Sequence, residues 1–585
     1  MSISSHKPVL MDHATITRLA ESAFPEPVYG NVTWQTLLSR PDTLTDSMCA
    51  GLATCPPEGF LALHQHTQAE IYYILSGTGT VEIDGKRHAV SGGSILWIPG
   101  DAVHGVFCGP GETLHWLYVF PEARFEDIIY RFQEPKTNIF LATCHAILEI
   151  NANVDIHLAS FISIKSAVTA TSTAALEANP NATPIKFHEI NGTSHFTALF
   201  APSLGGSRLL SVAPTFWNMP TILRIISRAA MPFTGPQMVE NYNEIRRIIA
   251  EVQPDLTVVD NLFTPGMTAA RQMGIKWMIL SPNTLKDLAL PLQPRAAFFW
   301  KYPCVGTALS FPIPWHLIPL NVLYVFILIF FMIFDNHARA ARKYVTEKTG
   351  ARIFDQAEFS SPQPYLTILM ASHPEFDFLM DYKPENIIPC GPIMRPVSPV
   401  RSVDSELENW LARGPTVFVN LGTLSWTTED QAVEMAKAIR SVMIEWHDHD
   451  NHQDGRLQVL WKLKQTPDGH TEYETGNVVC SVNHGGANSF WEAVCAGVPQ
   501  VVLPVWADTY DYAQRAEYLG IGKWGSKTSA PRYGAQELGS ALHQVLMGPS
   551  ASRMQVRARL LAKLRAQKGE GRDVAAKHIV ESVGR

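Results

Sequence analysis

The chain has 585 residues and a formal net charge of −7, and 46% of its residues are hydrophobic against 17% charged. This length exceeds what one hydrophobic core supports and predicts about two to four domains, while the composition excludes wholesale disorder. The negative charge argues against a nucleic-acid partner, which would need a basic surface. Eight cysteines without a CxxC pair, and an N-terminus without the apolar stretch of a secretory signal, predict a cytoplasmic protein with free thiols.

Short apolar runs separated by turn residues fill the region from about 50 to 120. The runs are 71–75, 80–83, 88–90, 94–98 and 114–120. Asp84-Gly85, between two of them, is a strong hairpin signal. Many short antiparallel strands at near-regular spacing predict an all-β barrel or jelly roll. We expect this domain to span residues 1–133, with a closing helix over 125–132.

Four potential metal ligands fall within this predicted barrel. His64 and His66 are two positions apart on strand-like sequence, so both imidazoles point to one face. Glu70 follows four residues later, and His104 comes after a separate strand and a Pro-Gly turn. Three neutral imidazoles and one carboxylate suit a divalent transition metal, with positions left for water or substrate.

The whole arrangement resembles the cupin pattern. The first motif corresponds to Gly59, His64, His66, Glu70 and Gly77, and the second to Gly93, Pro99 and His104. The resemblance implies a barrel that holds Fe, Mn, Ni or Zn through the three histidines and the glutamate, and a domain able to dimerise. Asp101 and Cys108 depart from the usual glycine and asparagine, but neither position is a ligand in the family. Cupins include dioxygenases, lyases, isomerases and binding proteins, so the chemistry stays open.

From residue 137 onward, short apolar runs alternate with helical stretches. The predicted strands are 138–142, 154–158, 256–259, 277–280, 416–420, 457–461, 478–480 and 500–503, and the predicted helices include 236–251, 428–445 and 487–496. Strand–helix alternation with apolar strands predicts parallel sheets covered on both faces. We expect two Rossmann-like domains, 137–395 and 396–585, facing a cleft in which ligands bind at the carboxyl ends of the strands.

The turn Asn483-His484-Gly485-Gly486 joins a predicted strand to a helix that opens at Ala487. A glycine-rich turn before a helix N-terminus presents unpaired N–H groups and a positive partial charge, which suits a diphosphate. Polar side chains in this stretch, and after the next strand, add partners for the diphosphate, the ribose and a sugar. They are His484, Asn488, Ser489, Glu492 and Asp508.

The string His484-Gly-Gly-x-Asn-Ser-x-x-Glu492, with Gly497-Val-Pro499 and Pro504-x-Trp-x-Asp508, resembles the donor signature of family-1 UDP-sugar glycosyltransferases, particularly the fungal type. The segment from Phe418 to Gly422-Thr423 resembles the phosphate-side loop of that family. The resemblance covers about residues 137–585. It implies the GT-B fold, a UDP-sugar as co-substrate bound at Gly422, Thr423 and His484 to Thr509, and transfer without a metal. Thr509 stands where many members have glutamine, which leaves the sugar open.

In this family a histidine deprotonates the acceptor hydroxyl, an aspartate orients that histidine, and the anomeric centre is inverted. Asp260, at the end of the run 256–259, resembles the family's aspartate, and His145 is the candidate base. The chain departs from the family pattern twice. The expected turn and long helix are missing after Ala146, and the segment that stacks on uracil is missing before Gly476.

Residues 317–334 carry no charge and are followed by the basic residues Arg339, Arg342 and Lys343. Eighteen residues is about the minimum for crossing a bilayer, and the basic flank suits a cytoplasmic anchor. The alternative is a buried or membrane-surface helix within a domain, because the segments on both sides must share one compartment.

Three hypotheses follow. The leading one is a transferase that moves a hexose from a UDP-sugar to a hydroxyl of a hydrophobic small molecule, since the apolar segment lies on the acceptor side. The second is a metal-dependent cupin lyase or oxygenase fused to a transferase domain that binds UDP without catalysing. The third is that the predicted gene joins two separate neighbouring genes.

Overall fold

The computed structural model describes residues 9–24, 30–43, 45–57, 59–83, 86–100, 102, 104–109, 111–128, 130–132, 138–151, 153–161, 164–201, 204–209, 212–396, 400–422, 429–448, 455–461 and 477–583. Backbone contacts divide the chain into two compact units, one formed by residues 1–135 and the other, in the main, by the chain from residue 136 onward.

The first unit is built from antiparallel strands. Its elements are α1 His13–Ile16, β1 Ser22–Ala23, β2 Thr33–Leu38, β3 Cys49–Cys55, β4 Phe60–Gln65, β5 Glu70–Ser76, β6 Thr78–Ile83, β7 Lys86–Ser91, β8 Ile95–Ile98, β9 His104–Cys108, β10 Leu114–Phe120 and β11 Arg131–Phe132. One sheet has the order β1-β2-β3-β10-β5-β8 and the other β11-β4-β9-β6-β7. The predicted cupin-like β domain is confirmed.

Alternating side chains place the core of this unit between its two sheets. In β10, Leu114, Trp116, Tyr118 and Phe120 are buried while the residues between them are half-buried, because side chains of a strand point alternately to opposite faces. The predicted closing helix over 125–132 is wrong. One 3-10 turn covers Phe125–Asp127, and β11 then pairs with β4, so that edge of the second sheet is covered by a strand. Asp84-Gly85 lies outside the described residues.

The second unit contains two parallel sheets, and we name the parts around them the first lobe (138–396) and the second lobe (400–583). The first lobe contains α2 Asn138–Ile150, β12 His157–Ser160, α3 Lys165–Ala178, β13 Lys186–Glu189, α4 His195–Leu199, α5 Gly206–Leu209, α6 Met219–Ala229, α7 Gly235–Val252, β14 Thr257–Asp260, α8 Thr264–Met273, β15 Trp277–Ser281, α9 Leu285–Ala289, α10 Ala297–Trp300, α11 Ile318–Phe334, α12 Asn336–Thr349, β16 Ile368–Met370 and β17 Ile387–Pro389. Its strands form the sheets β14-β15-β16-β17 and β12-β13.

The predicted strand at 138–142 is wrong, because this stretch begins helix α2. Ile139, Ala142 and Ala146 are buried at spacings of three and four residues, which is the period of a helix and not of a strand. They pack against β15 and against Ala575 and Ala576 near the C-terminus of the chain. The apolar run therefore covers one face of the first-lobe sheet.

The second lobe contains α13 Val400–Val403, α14 Ser405–Leu411, β18 Thr416–Asn420, α15 Glu429–Asp448, β19 Gln458–Trp461, β20 Val478–Asn483, α16 Ala487–Ala496, β21 Gln500–Val502, α17 Thr509–Tyr518, β22 Gly522–Trp524, α18 Ala535–Leu546, α19 Ala551–Gln567 and α20 Gly571–Val583. The parallel sheet has the order β19-β18-β20-β21-β22. Strand β18 and helix α16 have the predicted bounds, and the two-lobed Rossmann-like architecture is confirmed.

Candidate functional site

The N-terminus of α16 is open at the carboxyl edge of the second-lobe sheet. Gly486 is the N-cap and makes no side-chain capping hydrogen bond, so the first N–H groups of the helix have no cap from that residue. Asn483 fixes the preceding turn by accepting a hydrogen bond from the Gly485 N–H at 2.9 Å. Gly485 has a φ of 78°, which favours glycine. This geometry suits a bound anion.

His484 lies between two glycines that approach it closely. A Cβ on Gly422 would stand 2.3 Å from the His484 Cε1 atom, and one on Gly486 would stand 2.3 Å from its Nε2 atom. No larger residue fits at either position without moving the imidazole. Burial lowers the pKa of His484 to about 4, so the ring is neutral near pH 7 and offers one N–H and one lone pair. The ring acts as a hydrogen-bonding group and not as a cation.

The other predicted donor residues surround this turn. Ser489 is buried in the first turn of α16, beside the half-buried Asn488, and Glu492 lies one turn further on. Gly422 ends the loop after β18, where its N–H donates to Asn420 Oδ1 at 3.1 Å. The fold of the second lobe therefore brings Gly422, His484 and Gly486 together. Thr423 lies outside the described residues.

Asp508 and Thr509 occupy the loop after β21. The Thr509 hydroxyl accepts hydrogen bonds from the Val505 and Trp506 N–H groups at 3.1 and 3.0 Å and donates to the Trp506 carbonyl. It thus holds the loop in shape and is 1% exposed. Ala507 has a φ of 37°, a strained value for a residue with a Cβ, next to Asp508. The loop fixes the position of the Asp508 carboxylate.

Burial, and then the charges of Asp287 and Asp511, raise the pKa of Asp508 to about 7 from 3.8. A carboxyl with a raised pKa stabilises the fold at pH values below its unfolded pKa, and that contribution is lost as the pH rises through the folded value. We expect Asp508→Asn to raise the free energy of unfolding by about 1–3 kcal/mol at a pH of about 8 and to change it little at a pH of about 4. Urea unfolding at both pH values measures this. Equal effects at the two values would contradict it.

Buried ion pairs join the two lobes beside Asp508. Lys286 Nζ of the first lobe lies 2.5 Å from Asp511 Oδ2 of the second. Arg515 of the second lobe donates to Asp377 Oδ1 of the first at 2.8 and 3.0 Å and to Thr284 Oγ1 at 3.2 Å. All four charged side chains are 5% exposed or less. Sequence reasoning missed this cluster, since each charge looks like an ordinary surface residue until the lobes are brought together.

Asp260 ends strand β14 at the carboxyl edge of the first-lobe sheet. Its Oδ1 accepts a hydrogen bond from the Leu262 N–H at 2.7 Å, and burial raises its pKa to about 6. His145 lies on α2, where its Nδ1 is 3.1 Å from Arg572 Nη1 and 3.3 Å from Glu149 Oε2. Burial lowers the pKa of His145, and the Arg572 charge acts in the same direction against the opposing effect of Glu149. The described contacts of these two residues do not join them.

His195, which the sequence did not single out, is linked to Asp260 through the backbone of Leu262. It opens α4, and its ring contacts the backbone of Leu262, the residue whose N–H donates to Asp260. Its Nδ1 is buried without a hydrogen-bond partner among the described residues. Burial lowers the pKa of His195 to about 4, against the opposing effect of hydrogen bonds to the backbone of Leu262 and Ala229, so the ring is neutral near pH 7. Phe200, at the end of α4, has its ring 6.4 Å from that of Trp506 in the donor loop.

In the first unit, the four predicted metal ligands converge. His64 belongs to β4, His66 follows it, and Glu70 and His104 open β5 and β9. All four side chains are buried, and their ligand atoms lie within 4.8 Å of one another. Tyr130, which the sequence did not single out, stacks on the His64 ring at 4.7 Å. Antiparallel pairing of β4 with β9 brings residues 40 positions apart in the chain into one cluster.

The hydrogen bonds of the three imidazoles fit a metal. The Nδ1 atoms of His64, His66 and His104 lie 2.8, 2.9 and 2.9 Å from the carbonyl oxygens of Ala62, Gln68 and Ala102, in that order. A carbonyl oxygen only accepts, so each Nδ1 carries the proton, and each Nε2 lone pair points toward the cluster. Backbone partners of this kind fix the tautomer of metal-bound histidines. These residues would hold a divalent cation that acts as a Lewis acid.

Comparisons with known proteins found matches for both parts of the chain. Residues 413–562 match the family described as UDP-glucoronosyl and UDP-glucosyl transferase, and residues 51–120 match the cupin domain family. The glycosyltransferase sdnJ of Sordaria araneosa is 29% identical over 438 residues, which are 67% of this chain and 81% of that protein. The dimethylsulfoniopropionate lyase DddW of Ruegeria pomeroyi is 41% identical over 133 residues, which are 22% of this chain and 87% of that protein. A UDP-glucosyltransferase structure from Polygonum tinctorium covers 77% of this chain and 96% of its own, with 15% identity and a TM-score of 0.47.

The two parallel-sheet lobes and the open helix N-terminus define a nucleotide-sugar-dependent transferase of the GT-B type, and the β unit before them is a cupin domain. The chain carries a C-terminal domain of the UDP-glucoronosyl and UDP-glucosyl transferase family and a cupin domain on its N-terminal side. It is a transferase enzyme that moves a glycosyl group, and a UDP-sugar is the co-substrate that fits its family.

Proposed function

We propose that the protein transfers a hexose from a UDP-sugar to a hydroxyl of a hydrophobic small molecule, with inversion at the anomeric carbon. The observation that carries this proposal is the cradle at His484, where Gly422 and Gly486 leave room for the ring and the N-terminus of α16 is open to a diphosphate. In this proposal the Asp508 carboxyl hydrogen-bonds to the sugar hydroxyls. Membrane association through 317–334 belongs to the same proposal, because a hydrophobic acceptor partitions into lipid.

Direct displacement needs a base for the acceptor hydroxyl, and two histidines are available. The Nδ1 atom of His145 is engaged by the Arg572 guanidinium, so the ring is held against α20. His195 has an unpartnered Nδ1 and adjoins the segment after Asp260. We therefore assign the base to His195, with Asp260 positioned by the same turn, and His145 becomes the alternative.

Release of UDP tests the transferase proposal. We expect UDP to form from UDP-glucose or another UDP-hexose only when a sterol, phenol or fatty alcohol acceptor is present, and the product to have the opposite anomeric configuration to the donor by NMR. Gly486→Leu should abolish the release, since its side chain would occupy the space of the His484 ring. Gly534→Leu, at an uncrowded glycine with a φ of −111°, is the control for a general effect of the substitution. No UDP release from any pair of donor and acceptor would contradict the proposal.

A second activity, in the cupin domain, is favoured by the buried ligand cluster and by the similarity to a lyase over 133 residues. We propose a metal-dependent lyase reaction there, with dimethylsulfoniopropionate as the first compound to try. The alternative is that this domain is an oxygenase.

Metal analysis and proton NMR test this second activity. We expect the purified chain to contain about one divalent transition metal per molecule. His104→Ala should remove the metal and stop consumption of dimethylsulfoniopropionate. His115→Ala is the matched control, because His115 is hydrogen-bonded to Thr54 and lies outside the cluster. A wild-type chain that holds metal but leaves this compound unchanged would contradict the lyase hypothesis and favour the oxygenase.

A further inference from the structure

Helix α11 presents one continuous apolar face to solvent. Its exposed large apolar residues are Leu323, Phe326, Ile329, Phe330, Ile333 and Phe334, each between 36% and 57% exposed. They are spaced three, four and seven residues apart, so they form a single stripe along the helix. Trp315, just before the helix, is 83% exposed. An exposed apolar face of this size marks a surface that binds a protein partner or a membrane in the functioning protein.

The opposite face of α11 is anchored in the first lobe. Asn321, Tyr324 and Val325 are buried, and the helix packs on α6. The Asn321 amide donates to the carbonyls of Phe299 and Tyr302 at 2.9 and 3.1 Å, and its oxygen accepts from the Cys304 N–H at 2.8 Å. A helix that crossed a bilayer alone would lose all of these bonds.

Length also decides between a span and a surface helix. The 17 residues of α11 rise about 25 Å, less than the ~30 Å of a hydrocarbon layer. Taken with α12, the helix Trp315–Thr349 is the candidate span among the described residues, but its continuation is polar and packs on α7. An apolar stripe opposite an anchored face is the pattern of a helix that lies in the membrane surface.

Cationic side chains gather at the C-terminal end of the stripe. Arg224 and Arg228 bind Asp335 at 2.9 and 3.2 Å, and the Arg224 guanidinium lies 5.9 Å from the centre of the Phe331 ring. Arg342 pairs with Asp355, and Arg339 is exposed. Four arginines against two aspartates leave this end net positive, beside the apolar face. Anionic headgroups complement such an end.

We infer that α11 docks the enzyme on the surface of an anionic lipid bilayer, without spanning it, and that the acceptor reaches the site from that bilayer. The delivery of the acceptor from the bilayer rests on the proposed function. The inner side of the same hydrophobic cluster contains Trp506, two residues before Asp508. The helix therefore connects the docking face to the donor loop through packed apolar side chains, along which a lipid-soluble acceptor finds an apolar environment.

Vesicle flotation of the full chain tests the docking. We expect binding to vesicles of equal parts phosphatidylcholine and phosphatidylserine, weaker binding to phosphatidylcholine alone, and further weakening by salt. Phe330→Glu with Ile333→Glu should lower the vesicle partition coefficient about tenfold or more. Val556→Glu with Leu560→Glu, at two exposed apolar positions of α19, is the matched control and should leave it unchanged.

Activity separates the docking from the proposed transfer. We expect the Phe330/Ile333 variant to release UDP normally with a water-soluble phenol and several-fold more slowly with a sterol embedded in vesicles. Absence of UDP release with both acceptors would refute the transfer while leaving flotation to decide the docking. Docking is overturned if the unaltered chain stays in the aqueous phase with both vesicle types, if the variant floats equally well, or if the substitutions convert a dimer to monomers while no form binds vesicles.

Discussion

Replacing His195 with glutamine is expected to lower kcat by a factor of about 10²–10⁴, the usual contribution of general-base catalysis. The imidazole lone pair is available at neutral pH, since burial holds the pKa of His195 at about 4, and glutamine keeps the size of the side chain without a base. His145→Gln, at the competing histidine, should change kcat by less than about twofold, because its Nδ1 already accepts from Arg572. Steady-state UDP release with a soluble acceptor measures both variants.

The pH dependence gives an independent readout of the same site. Burial raises the pKa of Asp260 to about 6, so its carboxylate becomes protonated as the pH falls below that value. The ionised carboxylate favours a protonated imidazole in the transition state, and the neutral acid does not. We therefore expect kcat/KM of the unaltered enzyme to fall below a pH of about 6, and the fall to be absent in Asp260→Asn, whose activity is low throughout. If His145→Gln abolishes activity and His195→Gln does not, the base is His145.

Lys286→Ala is expected to cost about 3–5 kcal/mol of folding free energy, the penalty for leaving a buried charge without its partner. The substitution leaves the Asp511 carboxylate, which is 5% exposed, without its ion-pair partner. Burial raises the pKa of this carboxyl. Asp511 then favours its protonated form, so the loss of stability should grow as the pH rises from about 5 to 8. Equilibrium unfolding in urea, followed by tryptophan fluorescence, measures it.

Two comparisons make this prediction specific. Lys286→Met with Asp511→Leu removes both charges of the pair and should recover most of the stability, because neither partner is then left buried without its counter-charge. Lys437→Ala breaks an exposed ion pair with Glu434, in which the lysine is 61% exposed, and should cost less than about 1 kcal/mol. A double variant as unstable as Lys286→Ala would show that packing, and not the unpaired charge, sets the cost.

The local motifs of both sites could be predicted from the sequence, because each is carried by residues close together in the chain. The alternation of His64 and His66 on a strand, and the turn from Asn483 to Gly486 before a helix, fix local geometry by strand period and by glycine. Strand β18 and helix α16 have the predicted bounds for the same reason. The family resemblance added UDP as the nucleotide of the sugar donor, which spacing alone does not give.

Apolar composition without a clear period misled the prediction at 138–142. The run predicts a strand, yet Ile139, Ala142 and Ala146 bury one helical face against β15 and α20. The contacting residues from α20 lie more than 400 positions away in the chain, so no local pattern indicates them. The proposal of His195 as the base, with His145 as the alternative, likewise depends on which elements meet at the sheet edge.

The sequence by itself indicated the two classes of site, a cupin metal cluster and a nucleotide-sugar turn, through strand period, glycine position and family resemblance. Only the tertiary structure decided which charges are buried and which apolar residues are not. Lys286 and Asp511 are 225 positions apart and become a buried pair when the two lobes close on each other. Phe330 and Ile333 look like core residues in the chain, but the opposite face of α11 is the one that packs. Burial is a property of the assembled fold, and therefore no local pattern of residues specifies it.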